Sequence, residues 1–169
     1  MHVDSLQALY SELCSRGIFT APLDAGQIGW VNDLRNNLDD SVWCIGRQRG
    51  KTFAATAEAI ETCATKPGTI VNYCAKTKES AGEIFKPTLE QLLSFVPEKL
   101  KPKRDDQHGK VLWPNGSIIK WAGTDAQTFD RLRGPFCHRI LLDESAFYQH
   151  LDRVESALLP QLTTTRDKG

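Results

Sequence analysis

The stretch Ser41-Val42-Trp43-Cys44-Ile45-Gly46-Arg47-Gln48-Arg49-Gly50-Lys51-Thr52 passes from an apolar, β-prone segment through a glycine-rich turn into an alanine-rich segment over 52–64. A glycine-rich turn that leaves a strand and opens a helix aims backbone N–H groups and the helix N-terminus at one point, which suits a polyphosphate. Lys51 then reaches the β- and γ-phosphates, and the Thr52 hydroxyl takes a place on Mg²⁺. The spacing departs from the common Gly-x-x-x-x-Gly-Lys-Ser/Thr pattern. Ile45 occupies the first-glycine position, and Gly46 follows one residue later. The alternative is a strand–turn–helix junction with an incidental Gly-Lys-Thr. Arg47 and Arg49 weigh against it, because two guanidinium groups in so tight a loop repel each other unless an anion lies between them.

A protein that hydrolyses a bound triphosphate also needs a carboxylate at the end of a neighbouring strand to hold Mg²⁺, and a group to orient the attacking water. Arg139-Ile140-Leu141-Leu142-Asp143-Glu144 reads as a short buried strand ending in two acids, the first of them 92 positions after Lys51. Asp143 is the candidate metal ligand, and Glu144 is the candidate for polarising water. The competing reading is an acidic helix start after a strand, a common arrangement.

At 169 residues the chain has room for one domain with a real core. Its 40% hydrophobic and 25% charged content are ordinary for a globular protein. The 21 basic and 21 acidic residues cancel. A freestanding nucleic-acid-binding module carries a basic excess, so any grip on DNA is expected from local patches or from an assembled ring. The basic residues of 98–110 have acids interspersed and read as a solvated loop before they read as a phosphate contact. Cys14, Cys44, Cys63, Cys74 and Cys137 contain no Cys-x-x-Cys. Cys44, Cys74 and Cys137 fall in expected strands as small core residues, and this usage points to a reducing compartment. The histidines show no ligand spacing. With no leader and no apolar run of membrane-spanning length, the expectation is a cytoplasmic protein that makes no membrane contact.

Hydrophobic periodicity predicts helices over 4–14 and over 24–38, the second capped by Asp24. The phosphate strand 41–45 and the helix 52–64 follow, then a strand over 69–75 and a helix over 79–95 that contains Pro87. A polar linker occupies 98–110, and 111–121 is a hairpin with Asn115-Gly116 at its turn. Residues 122–135 read as irregular. The acid-tipped strand 139–144 and a last helix over 151–159 complete the pattern, with Thr163-Thr164-Thr165 as a polar loop. Strands alternating with helices predict an α/β fold, a mostly parallel sheet with helices on both faces, plus a small β-hairpin.

The sequence from Gly46 to Thr52, Pro114-Asn115-Gly116, Leu132-Arg133-Gly134 and Ile140-Leu141-Leu142-Asp143-Glu144 together resemble the ATPase domain of the large terminase subunit of tailed bacteriophages. That resemblance covers about residues 20–169 and implies a RecA-like P-loop NTPase that uses ATP and Mg²⁺ to drive double-stranded DNA into a procapsid. It further implies contacts with a portal protein and a small terminase subunit, a homo-oligomeric ring, and work in the host cytoplasm, transiently at the procapsid portal. Carried over by position, Gly46, Arg47, Gln48, Arg49, Gly50, Lys51 and Thr52 hold the nucleotide, with Arg47 coupling its state to the domain. Gln27 resembles the glutamine that reads the adenine edge, an amide being able both to donate and to accept there; a helix-surface glutamine is the plainer alternative. Thr52 and Asp143 hold the metal, and Lys51 and Glu144 are catalytic. Arg133 resembles the arginine offered to a neighbouring subunit's nucleotide, or else forms a structural ion pair.

Large terminases continue beyond a region of this kind, with a further strand and a nuclease domain. The expectation is therefore a single ATPase domain over 1–169, cut short at its C-terminal end and without the nuclease. Two other readings stand beside it: a helicase-type ATPase fragment, and a nucleotide-binding module that serves assembly without hydrolysis.

Overall fold

The computed structural model describes residues 3–36, 42–45, 48–125 and 136–166. A five-stranded sheet runs in the order β2-β3-β4-β1-β5. Its strands are β1 (Ile70–Ala75), β2 (Lys103–Asp105), β3 (Lys110–Leu112), β4 (Ile118–Gly123) and β5 (Arg139–Leu142). β1 is parallel to both of its neighbours, with Tyr73 opposite Trp121 on β4 and opposite Leu141 on β5. β2, β3 and β4 run antiparallel, and β3 and β4 form the expected hairpin. Gly116 takes a left-handed turn position at φ 84°. The Asn115 side-chain amide donates to the Cys63 and Ala64 carbonyls at 2.8 and 3.2 Å. The hairpin turn thus satisfies carbonyls that the end of a helix leaves open.

That helix is α3 (Lys51–Thr65); the others are α1 (Val3–Ser15), α2 (Ala25–Asn36), α4 (Lys78–Leu93) and α5 (Leu151–Arg166). β1 explains how they are layered. Val71, Tyr73 and Ala75 join the core formed with Ala57 and Ile60 of α3 and with Phe85 and Leu89 of α4. Cys74, pointing the other way, joins Val154 and Leu158 of α5. Strand side chains alternate between faces, so one strand serves both layers, and helices cover both faces of the sheet. Among the described residues no helix is long and apolar enough to cross a membrane.

Four expectations need correction. Residues 42–45 form no strand. Their exposure alternates, with Val42 and Cys44 outward, but the segment joins no ladder of the five-stranded sheet. It is held instead by Trp43, whose ring lies 6.1 Å from that of Trp30 on α2. Cys44 is consequently exposed and not a core residue. The linker 98–110 contains β2, which pairs with β3 as a third antiparallel strand. Finally, the last helix does not stop at 159: α5 continues through Pro160 and through residues 163–165, which are helical and not a loop. Val154, Leu158 and Gln161 are all buried, a helical spacing that carries the inward stripe past the proline.

A buried charge ties the layers together. Glu58 of α3 is 1% exposed and is ion-paired with Arg35 of α2 and with Arg139 of β5. One turn on, Glu61 accepts from the Phe19 and Thr20 backbone N–H groups at 2.8 and 2.9 Å, and from Arg35 at 2.6 Å. Removing one partner of a buried pair costs about 3–5 kcal/mol. Here the arginines keep 35% and 21% side-chain exposure and can partly rehydrate. Glu58→Ala is therefore expected to destabilise the fold by about 2–3 kcal/mol, a fall of roughly 5–10 °C in melting temperature. An unchanged melting curve would remove the network from the stability of the domain.

Candidate functional site

The loop that precedes α3 ends at Gly50, whose φ of 72° is a left-handed value suited to glycine. A Cβ at this position would collide with the Gln27 side-chain amide nitrogen. α3 starts at the next residue, so Lys51 and Thr52 occupy its first two positions, where backbone N–H groups lack partners within the helix. The Lys51 ammonium donates to the Ile45 carbonyl at 2.9 Å.

The opposing wall comes from the end of β5. Thr52 Oγ1 donates to Asp143 Oδ2 at 2.8 Å, and Tyr73 Oη donates to the same oxygen at 2.5 Å. The turn after Asp143 is fastened to β1: the Asp143 N–H donates to the Cys74 carbonyl at 2.9 Å. Tyr148 Oη is within hydrogen-bond distance of the Cys74 and Asp143 carbonyls, at 2.8 and 2.9 Å. Burial first, and the adjacent Asp143 carboxylate second, push the Tyr73 phenol well above its ordinary pKa. Burial likewise raises that of Tyr148. Both hydroxyls therefore remain donors throughout the physiological pH range.

Between the walls lies a cavity of about 830 Å³. Gln48 through Thr52 line one side, Asp143, Glu144 and Phe147 line another, and Lys76, Thr77 and Ser80 from the start of α4 close it. Thr77 and Ser80 form a reciprocal capping box that fixes the start of α4. Gln48 at φ 58° and Glu144 at φ 53° are the two non-glycine residues with positive φ among those described, and both border this cavity. Strained backbone of this kind concentrates at functional sites.

Seven of the expected site residues meet here: Gln48, Arg49, Gly50, Lys51, Thr52, Asp143 and Glu144. Gln27 is elsewhere. It is buried, its carbonyl oxygen accepts from the Asp24 N–H at 3.0 Å, and its amide donates to the Gly50 carbonyl at 3.3 Å. Asp24 Oδ1 in turn accepts from the Gln27 N–H at 2.9 Å, so the pair forms a capping box for α2 that also braces the loop. Gly46, Arg47 and Arg133 lie outside the described residues. Tyr73, Tyr148, Thr77 and Ser80 did not stand out in the sequence. Only the Thr-x-x-Ser cap after β1 carried a legible signal.

Among the described residues no cluster of three or more His, Cys, Asp or Glu side chains could cage a metal. The donor set here is a hydroxyl and a carboxylate. Mg²⁺ is commonly held by one or two carboxylates with phosphate oxygens and waters completing its shell, and Thr52 with Asp143 fits that pattern.

A glutamate in the left-handed region costs on the order of 1 kcal/mol relative to glycine. Glu144→Gly is expected to raise stability by about 1 kcal/mol in denaturant unfolding; a loss of the same size would show that this turn is relaxed.

The family model for "Terminase large subunit, T4likevirus-type, N-terminal" matches residues 43–164. Among solved structures, the ATPase domain of the Thermus phage P74-26 large terminase aligns with a TM-score of 0.68 and 22% identity over 88% of this chain and 63% of that one. A mutant of the same domain aligns with a TM-score of 0.57 and 24% identity over 72% of this chain and 54% of that one. This chain thus spans between about half and two thirds of those chains. The likeness assigns it the RecA-like α/β fold. No curated protein gives a significant match.

Proposed function

The chain belongs to the T4likevirus-type family of terminase large subunits, within its N-terminal region, and from that premise we propose that it binds ATP with Mg²⁺ in the 830 Å³ cavity and hydrolyses it to drive double-stranded DNA into a procapsid. The observation that carries the reading is the 2.8 Å hydrogen bond from Thr52 to Asp143. It brings the first turn of a glycine-led helix against a strand-end carboxylate inside one cavity.

The roles follow from the chemistry. Lys51 leaves the Ile45 carbonyl for the β- and γ-phosphates, a stronger partner for an ammonium. Thr52 can keep its hydrogen bond to Asp143 while an oxygen lone pair faces the cation. When bound, Mg²⁺ neutralises charge on the phosphate oxygens. Glu144, exposed at the cavity mouth, orients and polarises the attacking water. Arg133 is assigned to the nucleotide of a neighbouring copy in a ring, and the portal protein and small terminase subunit to partners of that assembly in the host cytoplasm.

Nucleotide binding and phosphate release, measured side by side, test this. Lys51→Ala is expected to abolish binding. Glu144→Gln is expected to keep binding and to slow release by about 10²–10⁴-fold, the range for a lost general base. Chelation of Mg²⁺ should stop turnover of the wild type. A Glu144→Gln variant hydrolysing at the wild-type rate would overturn the assignment.

An arginine supplied in trans contributes about 10³–10⁵ in rate. Dilute protein is therefore expected to bind ATP but to turn it over slowly, with activity rising with concentration. A monomer that already works at the assembled rate would remove Arg133 from that role.

A further inference from the structure

Tyr73 has a polar group where a hydrophobic core asks for none. The residue is 0% exposed and sits on the inward face of β1. Its ring lies 4.9 Å from that of Phe85 on α4, and Phe85 lies 5.7 Å from Trp121 on β4. Phenylalanine would fill this space without a hydroxyl to satisfy. A buried phenol requires a partner, and among the described residues this one donates to Asp143 Oδ2 at 2.5 Å. Oxygen-to-carboxylate bonds of about 2.5–2.7 Å belong to the strong, charge-assisted class.

Thr52 donates to that same oxygen. Two hydroxyls from different elements, α3 and β1, therefore converge on one atom of a carboxylate carried by the turn that follows β5. Neither donor can move far. Thr52 is fixed by the first turn of α3, and Tyr73 by the aromatic row beneath it.

We propose that Tyr73 is a positioning residue of the cation site, holding the Asp143 carboxylate in one orientation before a metal–nucleotide complex arrives. This rests on the reading of the cavity as an Mg²⁺–ATP site. A carboxylate free to turn must be ordered when the cation binds, whereas a carboxylate held from behind is ordered already. Groups that orient a metal ligand commonly change metal affinity by about 10–100-fold when removed.

The test is Tyr73→Phe, which keeps the ring and its packing. Binding of a fluorescent ATP analogue is followed in chelator and then across a Mg²⁺ titration, with thermal melting as a check on folding. The expected result is unchanged affinity in chelator and a Mg²⁺ midpoint raised by about tenfold. On an Asp143→Asn background, the same substitution is expected to add no further shift. A Tyr73→Phe midpoint equal to that of a Mg²⁺-dependent wild type would overturn the tyrosine's role and leave the cavity's reading standing. So would a shift that persists in full on the Asp143→Asn background, since it could not act through that carboxylate. Wild-type protein that binds nucleotide without any Mg²⁺ dependence would overturn both.

Discussion

The hydrogen bond between Thr52 and Asp143 joins residues 91 positions apart, and the arrangement of the sheet makes it possible. β1 and β5 are parallel and in register, with Cys74 opposite Leu142, so both strands finish at the same edge. α3 ends at Thr65, just before β1 begins at Ile70, so the helix runs back across the sheet and its N-terminus returns to that edge. α4 starts immediately after β1 and contributes its own N-terminus there. Parallel strands with returning helices bring strand ends and helix starts to one rim, where open α/β sheets bind ligands. The convergence of the site is a property of the topology, and the side chains at the rim decide its chemistry.

α3 is fastened to β5 in a second place, through Glu58 and Arg139. A charge as deeply buried as Glu58 contributes little net stability compared with a well-packed apolar group. What it supplies is register, because a carboxylate with two arginine partners fits one relative placement of helix and strand. With Thr52–Asp143 at one end and Glu58–Arg139 at the other, α3 cannot slide along the strand without breaking an ion pair. α2 adds braces to the same assembly: Gln27 to the Gly50 carbonyl, Trp30 to Trp43, and Arg35 to Glu58 and Glu61. The glycine loop is suspended from a rigid frame.

The parts legible in the sequence were those encoded locally. The acid-tipped strand expected over 139–144 is present as Arg139–Leu142, half-buried and ending before both acids, because a short apolar run is a local signal. The hairpin at Asn115-Gly116 and the bulk of each helix were readable for the same reason. Residues 42–45 have strand composition yet join no ladder, although among the described residues the outer edge of β5 carries no strand; composition alone does not show whether a segment pairs. β2 was missed because a three-residue edge strand of Lys, Arg and Asp has no hydrophobic pattern. α5 runs past the expected end at 159, because Gln161 continues its buried stripe beyond the apolar residues that the periodicity follows. Within the site, Lys51, Thr52 and Asp143 are motif residues and could be named. Tyr73 could not, since a tyrosine in an apolar strand looks like core until the atom its hydroxyl meets is known.

Two acids in succession pose a geometric problem that β5 alone cannot solve. Continued as a strand, Asp143 and Glu144 would point to opposite faces of the sheet, and only one could reach the cavity. The chain avoids this by leaving the β conformation at once: Glu144 is left-handed at φ 53°, ψ 38°, and a 3-10 turn over Ser145–Phe147 follows. Tyr148 then secures the reversal by bonding to the Cys74 and Asp143 carbonyls. The strain at Glu144 is thus the means by which consecutive carboxylates share one cavity. A residue that relaxed the turn would gain stability at this position and lose the second acid from the site. Across the cavity, Gln48 is the other non-glycine residue with positive φ among those described.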